Sequence, residues 1–218
     1  MAGEYLRTSK PAIFVELALA TGLCFARVFP FSIQVFLIAF ASLSLWLRGM
    51  TWRSVGLERP KTWWKVALLA ALSAIAINVV VNLLLGPYVE QFAGKPAGST
   101  RFDSIRGNLI VLVGWLCVVW TLVAFGEEAV FRGYLMNRIS DLVGTGRVGW
   151  ILSLLGSSLI FGAGHAYQGL AGAIGAAEIG FLLGILYLLN KRNLWMNIVC
   201  HGFIDSISLT SLYLSAAL

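Results

Sequence analysis

The residues able to do chemistry are few, and they sit in apolar surroundings. Glu127 and Glu128 follow twenty uncharged residues, Gly107 to Gly126, and Arg132 comes four positions after Glu128. The only two histidines, His165 and His201, lie in apolar stretches, and Asp205 follows His201 by four. A carboxylate pair at the end of a membrane-length apolar run is expensive to bury, which makes it a candidate functional feature. On a helix, Glu128 and Arg132 share a face, with the acid on the favourable N-terminal side. Glu127 then points about 100° away and is left free of that pair. The labour divides accordingly: Glu127 as a general base, Glu128 as a supporting carboxylate. His201 and Asp205 also share a face, where a carboxylate can fix the imidazole tautomer. Around His165, in Phe161-Gly162-Ala163-Gly164-His165-Ala166, small residues let another helix approach closely. Taken singly, each motif also reads as structural: interfacial charges, a packing histidine, a polar pair linking helices. Together they are far more specific. Amide hydrolysis needs an activated water, donors for the developing oxyanion and a proton for the leaving amine. Glu127 can supply the base and His165 or His201 the donors. No glycine-rich phosphate loop, G-x-S-x-G or H-E-x-x-H motif occurs.

The elements that must position these groups are membrane helices. The chain is 59% hydrophobic and 12% charged, against about 45–50% and about 25% in soluble domains. Mean hydropathy is +0.84. The fold class expected is an all-α polytopic membrane protein, a bundle of about seven to eight transmembrane helices. It reads as a single membrane domain over residues 1–218, with the candidate groups in its C-terminal half. Spans of about 20 apolar residues are predicted at 11–26, 30–47, 64–86, 108–139, 148–165, 170–190 and 194–215. The fourth runs unbroken through the glutamates. The stretch 87–106, with Gly94, Pro96, Gly98 and Ser99, reads as a loop, although an amphipathic piece there or in 48–63 would add an eighth helix. Ala18-Leu19-Ala20 resembles a signal-peptidase site, but Glu16 interrupts the apolar run before it, so a retained first helix is expected.

The net charge of +6 reflects basic residues gathered between spans and gives no reason to expect a nucleic-acid partner. Twelve Lys and Arg fall on one side and four (Arg27, Lys95, Arg101, Arg106) on the other, which puts the N-terminus and the 48–65 loop in the cytoplasm. Measured from the cytoplasmic ends at 1.5 Å per residue, Glu127 lies about 16 Å deep, His201 about 12 Å and His165 about 24 Å. His165 is therefore too deep unless its helix starts late, tilts or kinks. Glu16, Asn78, Asn82 and Glu178 also fall within spans and read as structural. Glu178 has two readings, facing a cavity or pairing with an arginine. The three cysteines, Cys24, Cys117 and Cys200, suggest no disulfide framework and read as small buried hydrophobes. Tryptophans near span ends, including Trp46, Trp52, Trp63, Trp64 and Trp195, read as interfacial anchors.

The motifs E-E-x-x-x-R, F-x-x-x-H and H-x-x-x-D, in this order and spacing over roughly 107–215, resemble those of the CAAX protease and bacteriocin-processing (CPBP, or ABI) family. The resemblance implies a bundle of about eight helices and intramembrane peptide-bond hydrolysis. By motif, it implies Glu127 as the water-activating glutamate, Glu128 and Arg132 as its supporting pair, and His165 and His201 as the remaining site groups. The family often has Asn where this chain has Asp205. An ionised Asp donates no hydrogen bond, so Asp205 either orients His201 or is protonated.

The function expected is an intramembrane endopeptidase using a glutamate-activated water and no cofactor. The alternative is a zinc metalloendopeptidase with Glu127, His165 and His201 as ligands, since two His, a Glu and a water form a catalytic zinc set. The metal-free form is preferred because zinc would take the best base as a ligand. Two further alternatives are a non-enzymatic bacteriocin-immunity or scaffold protein, and a proton-coupled transporter. The last predicts internal symmetry, which the sequence lacks. The expected partners are a peptide or membrane-anchored protein substrate and the lipid bilayer. The expected location is the cell membrane, with the site opening to the cytoplasm.

Overall fold

A computed structural model describes residues 2–25, 32–95 and 100–215. These form eight helices and no strand: α1 (Ala2–Thr8), α2 (Lys10–Phe25), α3 (Ser32–Leu47), α4 (Trp63–Ala93), α5 (Leu109–Val143), α6 (Arg147–Gly164), α7 (Gly169–Leu189) and α8 (Leu194–Leu214). Short 3-10 turns occupy Trp52–Val55, Thr100–Ile105 and Ala166–Gln168. Among the described residues, four helical stretches are long and apolar enough to cross a membrane: Trp63–Ala93, Leu109–Val143, Arg147–Gly164 and Ala166–Leu189. The protein is thus an integral membrane protein. α8 has the length, 21 residues, but Asn197, His201 and Asp205 dilute its hydropathy.

α5 is the central post. Every residue from Gly126 to Met136 is buried, so this part of the helix is enclosed on all sides, which is why it is largely apolar all round. Val130, Phe131, Tyr134 and Leu135 pack with Ile13 and Leu17 of α2, Leu37 and Ala41 of α3, Phe161 of α6 and Ala176 of α7. Met136 packs with Leu194 and Ile198 of α8. Turns over Glu128–Met136 are widened to π-helical form, a distortion frequent at functional sites. Side-chain donors serve its carbonyls: Asn137 Nδ2 donates to Arg132 O and Gly133 O at 3.0 and 2.9 Å, and Ser157 Oγ to Phe131 O at 2.9 Å.

Small residues set the helix spacing. A Cβ on Gly162 would lie 2.6 Å from both Ala173 O and Ala177 Cβ, and one on Gly202 would lie 2.7 Å from the Trp120 ring. α6–α7 and α5–α8 therefore approach closely at those points.

Several elements differ from expectation. α4 continues past residue 86 to Ala93, taking in Gly86 and Pro87. Proline removes an amide donor from a helix. The π-helical turns of Val79–Leu85 just before it already loosen the ladder there. Pro96, Gly98, Ser99 and Arg27 lie outside the described residues. The eighth helix is the N-terminal α1, not a segment of 48–63 or 87–106. Cys200 is buried, Cys24 half-buried and Cys117 exposed, so the reading as a buried hydrophobe fails for Cys117. Glu178 Oε2 is buried without a hydrogen-bond partner, and Glu178 pairs with no arginine among the described residues.

Candidate active site

Glu128 is the hub of the site. Its side chain is wholly buried, and Arg132 Nη1, four residues on, donates to Oε1 at 2.8 Å. His201 Nδ1 contacts the same oxygen at 2.8 Å, and Asn197 Nδ2 reaches Oε2 at 3.2 Å. Three donors thus surround a charge that would be prohibitive to bury alone. Arg132 is itself anchored: Nη2 donates to Gly180 O at 2.8 Å, and the guanidinium lies 4.9 Å from the Phe161 ring centroid. Asn197 spends its other amide hydrogen on Leu183 O at 2.6 Å.

This arrangement fixes the chemistry of His201. An ionised carboxylate only accepts hydrogen bonds, so Nδ1 carries the proton that faces Glu128, and Nε2 is turned the other way. Nε2 lies 3.8 Å from Glu127 Oε2 and 3.7 Å from Asp205 Oδ2. Both separations exceed a direct hydrogen bond and suit a shared water. The carboxylate that orients His201 is therefore Glu128, across the helix interface. Asp205, for which the sequence leaves two roles open, orienting His201 or being protonated, faces Nε2.

His165 closes α6, with φ −96° and ψ 8°. Its Nδ1 donates to Phe161 O at 2.8 Å, one of the carbonyls a helix C-terminus leaves free. Nε2 is again the nitrogen left over. α6 starts at Arg147 rather than late, and His165 follows its last residue. Phe161 stands between the two imidazoles, with ring centroids 4.6 Å from His165 and 6.2 Å from His201.

Glu127, His165, His201 and Asp205 line one cavity of about 430 Å³. Glu128 and Arg132 lie behind its wall. Its other lining residues include Gln34, Asn82, Phe102, Tyr167 and Ser208. These belong to α3, α4, the 100–105 turn, the 166–168 turn and α8, at the pole of the bundle poor in Lys and Arg. The basic pole, with Arg48, Lys61, Lys65, Arg147, Lys191 and Arg192, is the opposite one. The cavity extends from mid-bundle toward the sparsely charged pole, because His165 and the polar half of α8 lie on that side.

Residues 109–207 match the type II CAAX prenyl endopeptidase Rce1-like family. Residues 109–207 form a domain of this protease family. The Rce1-like stretch runs from the start of α5 into α8 and contains all six residues singled out from the sequence: Glu127, Glu128, Arg132, His165, His201 and Asp205. It leaves α1 to α4 outside. No curated protein and no solved structure matches the sequence.

For a metal in the Rce1-like site, the donors of interest are Glu127 and the Nε2 atoms of His165 and His201. Among the described residues, no group of three or more His, Cys, Asp or Glu side chains is drawn together to hold an ion. Sequence reasoning missed Asn197, Gly180 and Gln34. Asn197 had a signal, since it precedes His201 by four as Asp205 follows it by four, one continuous polar stripe on α8. Gln34, an uncharged residue near a predicted span end, had none.

Proposed function

We propose that the protein is an intramembrane endopeptidase in which Glu127 activates the water that attacks a peptide bond. The observation that carries this reading is the meeting of Glu127 and His201 on one cavity wall, with the far side of His201 held by the Glu128–Arg132 pair. Glu127 takes the water's proton as the oxygen attacks the carbonyl carbon. His201, with Nδ1–H committed to Glu128, acts as the imidazolium: Nε2–H donates to the developing oxyanion or passes its proton to the departing amine, and the proton that Glu127 took from the water replaces it. His165 lines the same cavity, and as the imidazolium, with Nδ1–H on Phe161 O, its Nε2–H serves the same two ends of the reaction. Asp205 bears on His201 Nε2 and gives the water a second acceptor. Glu128 and Arg132 do not touch substrate; they position His201. Low-dielectric surroundings strengthen each of these interactions relative to water.

The substrate is a peptide or a membrane-anchored protein whose extended segment enters the cavity. We read all of α2 to α8 as a membrane-embedded bundle, with α1 at its cytoplasmic rim. The Lys and Arg asymmetry that assigns the basic pole to the cytoplasm turns the cavity rim toward the opposite face. A second reading has one specific support. Both imidazoles give Nδ1 to a protein acceptor and keep Nε2 for the cavity, the arrangement of metal-ligating histidines. In that reading Glu127, His165 and His201 would hold zinc, which would polarise the carbonyl and lower the pKa of a bound water.

The test is cleavage of an internally quenched, prenylated CAAX peptide by the purified protein in liposomes. Glu127→Ala is expected to lower kcat by about 10²–10⁴-fold, with unchanged thermal unfolding in detergent. Full activity of a folded Glu127→Ala protein would remove Glu127 as the base.

A further inference from the structure

Gln34 lies on α3, outside the Rce1-like stretch, yet it lines the same cavity as Glu127, His165, His201 and Asp205. It sits beside the base. A Cβ built on Gly126, the residue before Glu127, would be 3.7 Å from Gln34 Cβ and 3.1 Å from Ile38 Cδ1. The missing side chain at Gly126 is what lets α3 come this near to α5, one residue before Glu127.

The carboxamide of Gln34 is not used by the fold. Its Oε1 is buried and accepts no hydrogen bond. An orphaned buried polar atom of this kind is costly and calls for an explanation. Two other buried side-chain oxygens among the described residues share this state, on Glu178 and Asn197, and neither residue lines the cavity. The amide of Asn197 is already committed to Glu128 and Leu183, so its role is in the wall.

A carboxamide has the same acceptor and donor, in the same plane, as a peptide group. It can accept from a backbone amide and donate to a backbone carbonyl at once. The neighbouring acids cannot do both: ionised Glu127 and Asp205 only accept. We infer that Gln34 binds the peptide backbone of the substrate beside the scissile bond, pairing its carboxamide with one peptide group and holding the extended segment against Glu127. This rests on the endopeptidase reading above. It adds that part of the substrate site comes from the N-terminal helices.

The test uses the full-length protein in liposomes and the quenched, prenylated CAAX peptide, together with a series of the same peptide in which single peptide N–H groups flanking the scissile bond are replaced by ester oxygens. Gln34→Met keeps the length of the side chain and removes both hydrogen-bonding atoms; Gln34→Leu is the second variant should Met disturb folding. Either is expected to lower kcat/KM by about tenfold to a hundredfold, the equivalent of the orphaned-group cost, with unchanged thermal unfolding. At one ester position the wild type loses a comparable factor and the variant loses nothing further. A role in packing alone would not produce that non-additivity. Wild-type activity in both variants, or equal ester losses in wild type and variant at every position, overturns the inference while leaving Glu127-dependent cleavage intact. Absence of any Glu127-dependent cleavage in the wild type instead removes the endopeptidase reading, and this inference with it.

Discussion

α5 carries two ionic clusters, each built around a buried arginine, within three turns of each other, and they are built to opposite ends. Toward the basic pole, Glu16 of α2 accepts from Ser44 Oγ, from Tyr134 OH at 2.6 Å, and from Arg138 Nε and Nη2 at 2.8 and 2.5 Å. Arg48 and Asp141 complete the group, with Arg138 Nη1 3.2 Å and Arg48 Nη1 3.5 Å from Asp141. Two carboxylates face two guanidiniums, and both oxygens of Glu16 are occupied. At mid-bundle, three carboxylates (Glu127, Glu128, Asp205) face one guanidinium and two imidazoles. There Glu128 is saturated, whereas Glu127 and Asp205 turn toward a cavity. A buried acid by itself therefore does not mark chemistry. Unbalanced charge and unspent acceptors on a cavity wall distinguish the proposed site, and a closed, neutral cluster reads as a clamp joining α2 and α3 to α5.

This contrast can be broken by mutation. The largest expected effect is that of Glu127→Ala, on rate alone, because its carboxylate supports no ion pair within hydrogen-bonding distance in the fold. Glu128→Gln comes next and should act on both counts. His201 loses its ionised partner and Arg132 its counter-charge, so kcat falls roughly 10²-fold, toward the lower end of acid–base contributions, and thermal unfolding in detergent shifts down. A Glu128→Gln protein with wild-type turnover would show that orientation of His201 is irrelevant to rate. Glu16→Gln should do the reverse. It leaves the fully buried Arg138 short of a charge and costs about 3–5 kcal/mol of stability, while turnover per folded molecule stays within about twofold. Lost turnover at unchanged stability would erase the distinction between the clusters. The smallest effect is expected from a chelator such as 1,10-phenanthroline, which should leave cleavage unchanged if water activation belongs to Glu127. Inactivation by the chelator and recovery with zinc would move the site to the metal reading.

Much of the helical content was legible in the sequence because length and apolarity are local properties. The unbroken passage of α5 through Glu127 and Glu128 follows from the absence of any breaker there. So does the Glu128–Arg132 pair, since helical periodicity alone brings residues four apart together. The extension of α4 beyond Pro87 was not legible, because widened turns upstream cannot be read from composition. Asp205 illustrates why two roles stayed open. Its spacing correctly puts it on the face of His201, but spacing cannot tell which imidazole nitrogen a neighbour on another helix has already claimed. Glu16 looked like an isolated intramembrane acid because its partners lie 28 and more than 110 residues away.

What the sequence by itself determined is the set of groups available and which of them share a helix face, since these depend on residue type and on a repeat of 3.6 residues. Only packing decided that Glu128 reaches His201 across 73 positions of sequence. Packing likewise brought Gln34 beside Gly126, and set the cavity toward the pole poor in lysine and arginine. Contacts between helices depend on which small residues permit close approach and on where each helix stops, and neither is fixed by a local pattern.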